Sequence, residues 1–303
     1  MRMRAGRVAA AVVVVGALIG GCGGPDQPGA AVIIDGNVVR LETVQSQLDT
    51  ALSRPERLAA LTAQGGGPAD VARSIVSREV IHDLLQRRAA AEGIAVSEAQ
   101  VDQRLAESGG AQAALDSSIY DLPALRSRVR DDLIAMALAD KSVGGLSVTA
   151  DLVAVSSRDE AMRTAQLLSA GGPAADALFG DPQTSAKGTV YDAVSSPEAA
   201  GTVLFGTPVG GVVAFQPDMR QSTWIVFKVT DRRTDAPFDQ AAINAISSTQ
   251  KVTIGERLLQ PDAERLGVRV NPRYGAWDPI TLRVVSADVQ DGIILPPGAA
   301  AGS

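Results

Sequence analysis

Residues 41–141 read as a run of helices with almost no aromatic side chain to pack them, and this narrows the possible folds more than any other feature. Val71, Ile75, Val80, Ile81, Leu84, Leu85 and Ala89 recur near helical spacing across 69–92, and Gly93 supplies the stop. Ser97-Glu98-Ala99-Gln100 forms a capping box that opens the next helix, which carries Val101 and Leu105. Leu125, Val129, Leu133 and Met136 make the apolar stripe of a helix over 123–141. An earlier helix over 42–52 places Leu41, Val44, Leu48 and Leu52 on one face, and Gly65-Gly66-Gly67-Pro68 breaks the chain after it. Before it, residues 32–39 read as a short hairpin with β-branched runs around Asp35-Gly36-Asn37. Tyr120 is the lone aromatic before Phe179, so this core must be built from Leu, Ile, Val and Ala.

After Gly144-Gly145 the pattern changes. Residues 148–155 alternate as a strand, 158–168 follow helical spacing, and 197–205 form another helix with Pro197 near its first turn. A hairpin joins 212–215 to 224–229 across Pro217-Asp218-Met219-Arg220. Seven of the ten aromatics lie between Phe179 and Phe238, so this segment builds a second, separate core. Pro237 opens a last long helix carrying Ile243, Ile246, Val252, Ile254, Leu258 and Leu259, with Pro261 as its break or kink. Val268-Arg269-Val270 reads as a strand able to join the N-terminal hairpin. The tail, 286–303, ends in Pro, Gly and Ala and is expected to be disordered.

The first residues read as a targeting segment. A basic head carrying Arg2, Arg4 and Arg7 precedes an apolar run over 8–19. Twelve helical residues reach only ~18 Å, short of a hydrocarbon core of ~30 Å, so this is a poor permanent span. The run ends in Ile19-Gly20-Gly21-Cys22, which resembles a bacterial lipobox. That resemblance implies cleavage between Gly21 and Cys22 and lipid attachment at Cys22, where two acyl chains suffice for stable anchoring. Cys22 is the only cysteine, so no internal disulfide competes for it. Cleavage removes three arginines and no acid, taking the formal charge from −6 to −9. The Gly/Pro/Gln-rich stretch over 23–29 then serves as a flexible tether.

Composition excludes much chemistry. With 28 Lys+Arg against 34 Asp+Glu, the chain lacks the basic excess that a nucleic-acid binder uses to displace counterions from phosphates. One histidine, His82, and one cysteine rule out a His/Cys-rich zinc site and leave nucleophilic triads resting on a single residue. His82 reads as a surface or interface residue of the long helix. Residues 180–188 lack the Gly-Lys-Ser/Thr order of a phosphate loop, and no cofactor or metal site is expected. Asp131-Asp132 and Glu79/Asp83 read as solvated helix faces, since carbohydrate chemistry would want aromatic platforms beside them.

Taken together, the VIIDGNVVRL hairpin and the run VSREVIHDLLQRRAAAEGIAVSEAQVDQRLAE resemble the N-terminal domain of SurA/PrsA-type extracytoplasmic chaperones. The ending Val270-Asn271-Pro272-Arg273-Tyr274-Gly275 is similar to SurA-like lipoproteins of high-GC Gram-positive bacteria. The resemblance implies an α+β chain: a mostly helical chaperone domain built from N- and C-terminal segments, with an inserted parvulin-like α/β module. The implied organisation is a signal peptide (1–21), a lipidated tether (22–29), helical domain (30–145), degenerate parvulin-like module (146–234), returning helix and strand (235–285) and tail (286–303).

The module departs from the family where chemistry would sit. Parvulins carry a histidine on the first strand, and here Leu152 stands at that position. The final strand, 224–229, lacks the second histidine, and Asp181 is the nearest carboxylate to the family's Cys/Asp position. Rotation about an X–Pro amide breaks resonance and meets a high barrier, so a cleft without this polar floor binds proline-containing chain but accelerates rotation poorly. The resemblance therefore implies a lipid-anchored chaperone that binds unfolded or secreted polypeptides through apolar surface, at ~25 cal/mol per Å², with no catalytic residue. An active prolyl isomerase and an envelope binding or scaffold lipoprotein stay open as alternatives. Candidate peptide-contacting residues are Val190, Phe205, Trp224 and Phe227, with Trp224 and Phe227 on opposite faces of one strand.

Overall fold

The computed structural model describes residues 28–54, 59, 62–63, 66–218, 221–289 and 292–298. Gly21, Cys22 and the whole of 1–21 lie outside the described residues, as does most of the tether. The fold is α+β, with helices in the first half and a mixed second half.

The chain opens on strands β1 (Ala30–Ile34) and β2 (Asn37–Arg40), paired antiparallel across the two-residue turn Asp35-Gly36. Both turn residues have positive φ (49° and 77°), the geometry whose twist suits a tight hairpin. Helices α1 (Leu41–Leu52) and α2 (Pro68–Glu92) follow. The α2 helix starts on Pro68, where a missing N–H costs nothing, and stops at Gly93 with φ 67°. The expected capping box opens α3 (Glu98–Glu107): Ser97 Oγ accepts from Gln100 N, and Gln100 Oε1 accepts from Ser97 N at 2.8 Å. Short α4 (Ala111–Asp116) leads to α5 (Leu122–Ser142), capped by the Asp121 carboxylate.

The C-terminal part returns to this helical body. Strand β7 (Val268–Val270) pairs antiparallel with the free side of β1, so the hairpin becomes the sheet β2-β1-β7, as its sequence suggests. Asn271 completes the seam, its N–H on the Ala31 carbonyl and its Nδ2 on the Ala30 carbonyl. A first core joins β1, α1, α2 and the middle of α5 to Leu259, Ala263, Tyr274, Leu282 and Val284, residues from opposite ends of the sequence.

The expected single helix after Pro237 is corrected to three: α10 (Gln240–Ala245), α11 (Ser248–Arg257) and α12 (Gln260–Leu266). Ile246 is extended, and Ser247 caps α11 through a second capping box with Gln250, so a new helix starts where the apolar spacing alone suggested continuation. Pro261 sits in the first turn of α12, where it starts a helix instead of kinking one.

Between these parts lies an antiparallel sheet whose strands, in spatial order, are β10 (Gly292–Leu295), β5 (Val212–Phe215), β6 (Trp224–Arg233), β3 (Ser147–Val155) and β4 (Ser185–Asp192). Strand β3 (Ser147–Val155) is followed by α6 (Arg158–Ala170), α7 (Pro173–Asp176) and β4 (Ser185–Asp192). The short helices α8 (Pro197–Ala200) and α9 (Val203–Gly206) then lead to β5 (Val212–Phe215) and β6 (Trp224–Arg233). The hairpin of β5 and β6 forms as expected. Strand β4 has no counterpart in the sequence pattern, because it is an edge strand too exposed to show hydrophobic alternation, and one expectation is corrected. The tail over 286–303 contains β10 (Gly292–Leu295), which pairs with β5 and sends Ile293 and Leu295 to one face of the sheet and Ile294 to the other. The hairpin of β8 (Ala276–Asp278) and β9 (Arg283–Val285) lies between β7 and β10.

Candidate functional site

The sheet is covered on both faces, and this decides the role of its aromatics. Phe227 and Phe205 belong to a second core, on the face where Ile243, Ile246 and Ile254 of the C-terminal segment dock. Trp224 belongs to a third core on the opposite face, beneath α6. The opposite-face placement of Trp224 and Phe227 holds, but both rings are interior, at 6% and 1% exposure, and Phe205 is equally enclosed. As peptide-contacting candidates Phe205, Trp224 and Phe227 are therefore corrected to core residues. Val190 alone stands in solvent, 63% exposed on the edge strand β4. Leu152 packs against the second core, and the Asp181 carboxylate is spent on the Gln183 N–H and Thr184 hydroxyl of its own turn.

A broad concavity lies elsewhere. A groove of about 740 Å³ runs between α2, α5, α11 and β9, so it exists only where the two ends of the sequence meet. Ser77 ties its walls together: the Val284 N–H donates to Ser77 Oγ at 2.8 Å, and that hydroxyl donates to the Arg73 carbonyl. Ile81, Val252, Leu282, Val284 and Val289 supply apolar surface. Leu282 has a φ of 53°, a left-handed backbone that a bulky residue adopts only under constraint. The Asp278 carboxylate supplies that constraint by accepting from Ile280 N and Thr281 N in the turn, and Leu282 is thereby turned into the first core.

Charged groups of both signs line the same groove. Asp131, expected on a solvated helix face, is buried; His82 Nδ1 lies 2.8 and 2.9 Å from its two oxygens, and Gln86 donates to it at 3.2 Å. That hydrogen bond holds the His82 pKa above its ordinary value, against the opposing effect of burial. Burial pushes the Asp132 carboxyl up, with Arg128 opposing at 4.0 Å. Burial also pushes Glu256 up, and the Asp132 charge adds to the effect. Arg78 donates from Nη2 to Glu79 at 2.6 Å and Gln47 at 3.2 Å, while its Nε and Nη1 are buried without a hydrogen-bond partner among the described residues. Among the described residues no cluster of His, Cys, Asp and Glu could hold a metal ion.

No family model matches the sequence, and no curated protein does. Solved structures similar to the chain include PrsA foldases and a SurA-like chaperone. The PrsA foldase of Lactococcus lactis is 12% identical, covering 80% of this chain and 95% of its own, at a TM-score of 0.33. PrsA of Streptococcus pneumoniae is 14% identical, covering 81% and 96%, at 0.28. A SurA-like chaperone of Campylobacter jejuni is 11% identical, covering 81% and 100%, at 0.27. Such identities concern fold alone, and TM-scores this low carry no argument about the groove.

Sequence reasoning did not single out Arg78, Arg128 or Glu256, and it named Tyr120 only as a lone aromatic. The one available signal was the polar run Ser77-Arg78-Glu79 between Val76 and Val80. Even that signal shows no partner, because the groove's other walls come from residues far along the chain.

Proposed function

We infer that this chain is an extracytoplasmic chaperone, lipid-anchored through Cys22, that holds extended stretches of unfolded or secreted polypeptide without strong prolyl-isomerase activity. The carrying observation is the groove at the seam of the N- and C-terminal segments, where apolar side chains alternate with hydrogen-bonding groups. An extended chain brings both apolar side chains and unpaired backbone donors and acceptors, and such a lining serves both. The volume is in the range of ligand clefts, and its openness to solvent suits weak, reversible holding. This reading moves the binding surface from the shallow apolar face expected of the helices to a polar-walled groove. Leu152 packed in the second core and the enclosed Phe205 and Phe227 support a module that stiffens the molecule without turning over proline bonds.

The test is a pair of assays on the mature chain. Aggregation of a denatured client should fall at a few-fold molar excess of the protein. The slow, proline-limited refolding phase of a model substrate should keep its rate at trace amounts. Full aggregation at that excess sinks the chaperone reading, and acceleration of the slow phase restores the isomerase alternative.

A further inference from the structure

Two arginines of the groove converge on one ring. The Arg78 guanidinium carbon lies 5.5 Å from the Tyr120 ring centroid and that of Arg128 lies 5.9 Å away, with Arg128 Nη1 donating to the Tyr120 hydroxyl at 3.3 Å. The Arg78 side chain is only 10% exposed, yet two of its nitrogens meet no acceptor among the described residues. Buried donors without partners are rare, because each forfeits its bonds to water and gains nothing in return. Arg128 is itself held loosely, its nearest carboxylate at 4.0 Å. This corner therefore carries more positive donor capacity than the chain fills.

We propose that the corner formed by Arg78 and Arg128 over Tyr120 is a carboxylate subsite of the groove, taking the C-terminal carboxylate or an Asp/Glu side chain of a bound polypeptide. The proposal rests on the groove being a polypeptide site. A guanidinium gives charge-assisted hydrogen bonds to a carboxylate, the strongest such bonds a peptide can accept. The Arg78 donors lie beneath the groove wall, so the carboxylate must draw the guanidinium outward by rotation about its side-chain torsions. That movement is favoured because the inward position leaves Nε and Nη1 unmet. The nearby acids leave room for an anion: His82 pairs with Asp131, burial raises the pKa of both Asp132 and Glu256, and Glu79 engages only Nη2 of Arg78, so Nε and Nη1 keep no hydrogen-bond partner among the described residues. Tyr120 presents its ring face to both cations and takes one hydrogen bond from Arg128, leaving Arg78 Nε and Nη1 unengaged.

The experiment measures fluorescence anisotropy of three labelled apolar decapeptides with the mature protein. One has a central Glu and an amidated end, the second has Gln and an amide, and the third has Gln and a free C-terminus. Either carboxylate peptide should bind about tenfold tighter than the Gln amide. A gain for the Glu peptide alone identifies a side-chain ligand, a gain for the free terminus alone identifies a terminal one, and both results support the subsite. Arg78→Gln should erase the gain, read as the ratio of carboxylate-peptide to Gln-amide affinity within that variant, and Arg128→Gln should reduce it in part. Equal binding of all three peptides by the unmutated protein overturns the subsite and needs no variant to fold. Persistence of the gain in Arg78→Gln overturns it equally. If none of the peptides binds, the polypeptide reading of the groove falls, and the subsite with it.

Discussion

Arg257 donates from Nη2 to the Ile280 carbonyl at 2.8 Å, inside the protein where α11 meets the turn between β8 and β9. The same guanidinium reaches Gln260 Oε1 at 2.9 Å and the Gly201 and Pro279 carbonyls at 3.3 and 3.4 Å, so one side chain joins the sheet's helices to both C-terminal elements. Burial lowers its pKa to about 10, which leaves it charged at neutral pH. Arg257→Ala leaves buried acceptors unmatched and should cost about 2–4 kcal/mol, read by urea unfolding. A midpoint unchanged from the parent protein refutes this joining role.

Gly255 lets α11 press onto α5. A Cβ there would lie 2.0 Å from the Ala135 carbonyl oxygen, which is backbone and has no rotamer to change. Gly255→Ala should destabilise by about 1–3 kcal/mol and lower the melting temperature, while Gly67→Ala, with open space around it, should not crowd its neighbours. Equal melting temperatures for the two variants count against close packing of these helices.

His82 gives the stability of the helical body a pH dependence. Its folded pKa is raised, chiefly by the hydrogen bond to Asp131. The folded state therefore binds this proton more tightly than the unfolded chain does. The added stability is full below about pH 6.5 and disappears as pH rises through the folded value. The difference in melting temperature between the parent and His82→Gln should be widest near pH 5 and vanish at high pH. A difference that widens with rising pH contradicts the pairing.

The aromatic strand offers a direct contrast. Phe227→Ala should cost about 3–5 kcal/mol by opening a cavity, with Phe215 losing its edge-to-face neighbour 6.0 Å away. Val190→Thr should stay within about 0.5 kcal/mol, because that side chain is in solvent. Denaturation curves decide between them, and a mild Phe227→Ala phenotype would return that residue to the surface.

Membrane attachment is tested apart from the fold. Cys22→Ala should abolish metabolic lipid labelling and leave uncleaved precursor, detected by mass and by fractionation of cells. Labelling that survives the substitution removes the anchor from the proposed function.

Much of the fold was readable wherever local signals agreed with each other. Ser97 and Gln100 announced α3, Gly93 ended α2, and Val268-Arg269-Val270 announced a third strand beside β1. Misreadings came where a local device overrode periodicity, as Ser247 with Gln250 did inside the apolar run of the last helices. Strand β10 escaped notice because four residues among Pro and Gly say little alone, and only the open edge of β5 gives them an address. Gly292 marks the closeness of that address, since a Cβ there would lie 2.0 Å from the Ala214 carbonyl oxygen. The groove was hardest to read. Its chemistry depends on Arg78, Arg128 and Glu256 being brought together by tertiary packing, which no sequence spacing encodes.

The first core has a consequence for how the molecule is made. Helices α2 and α5 are finished early in synthesis, but Leu259, Ala263, Leu282 and Val284, which seal them, leave the ribosome more than a hundred residues later. At ordinary elongation rates the interval is on the order of ten seconds, during which the apolar stripes stay bare. A protein inferred to shelter unfinished chains is thus itself, for that interval, a chain in want of shelter.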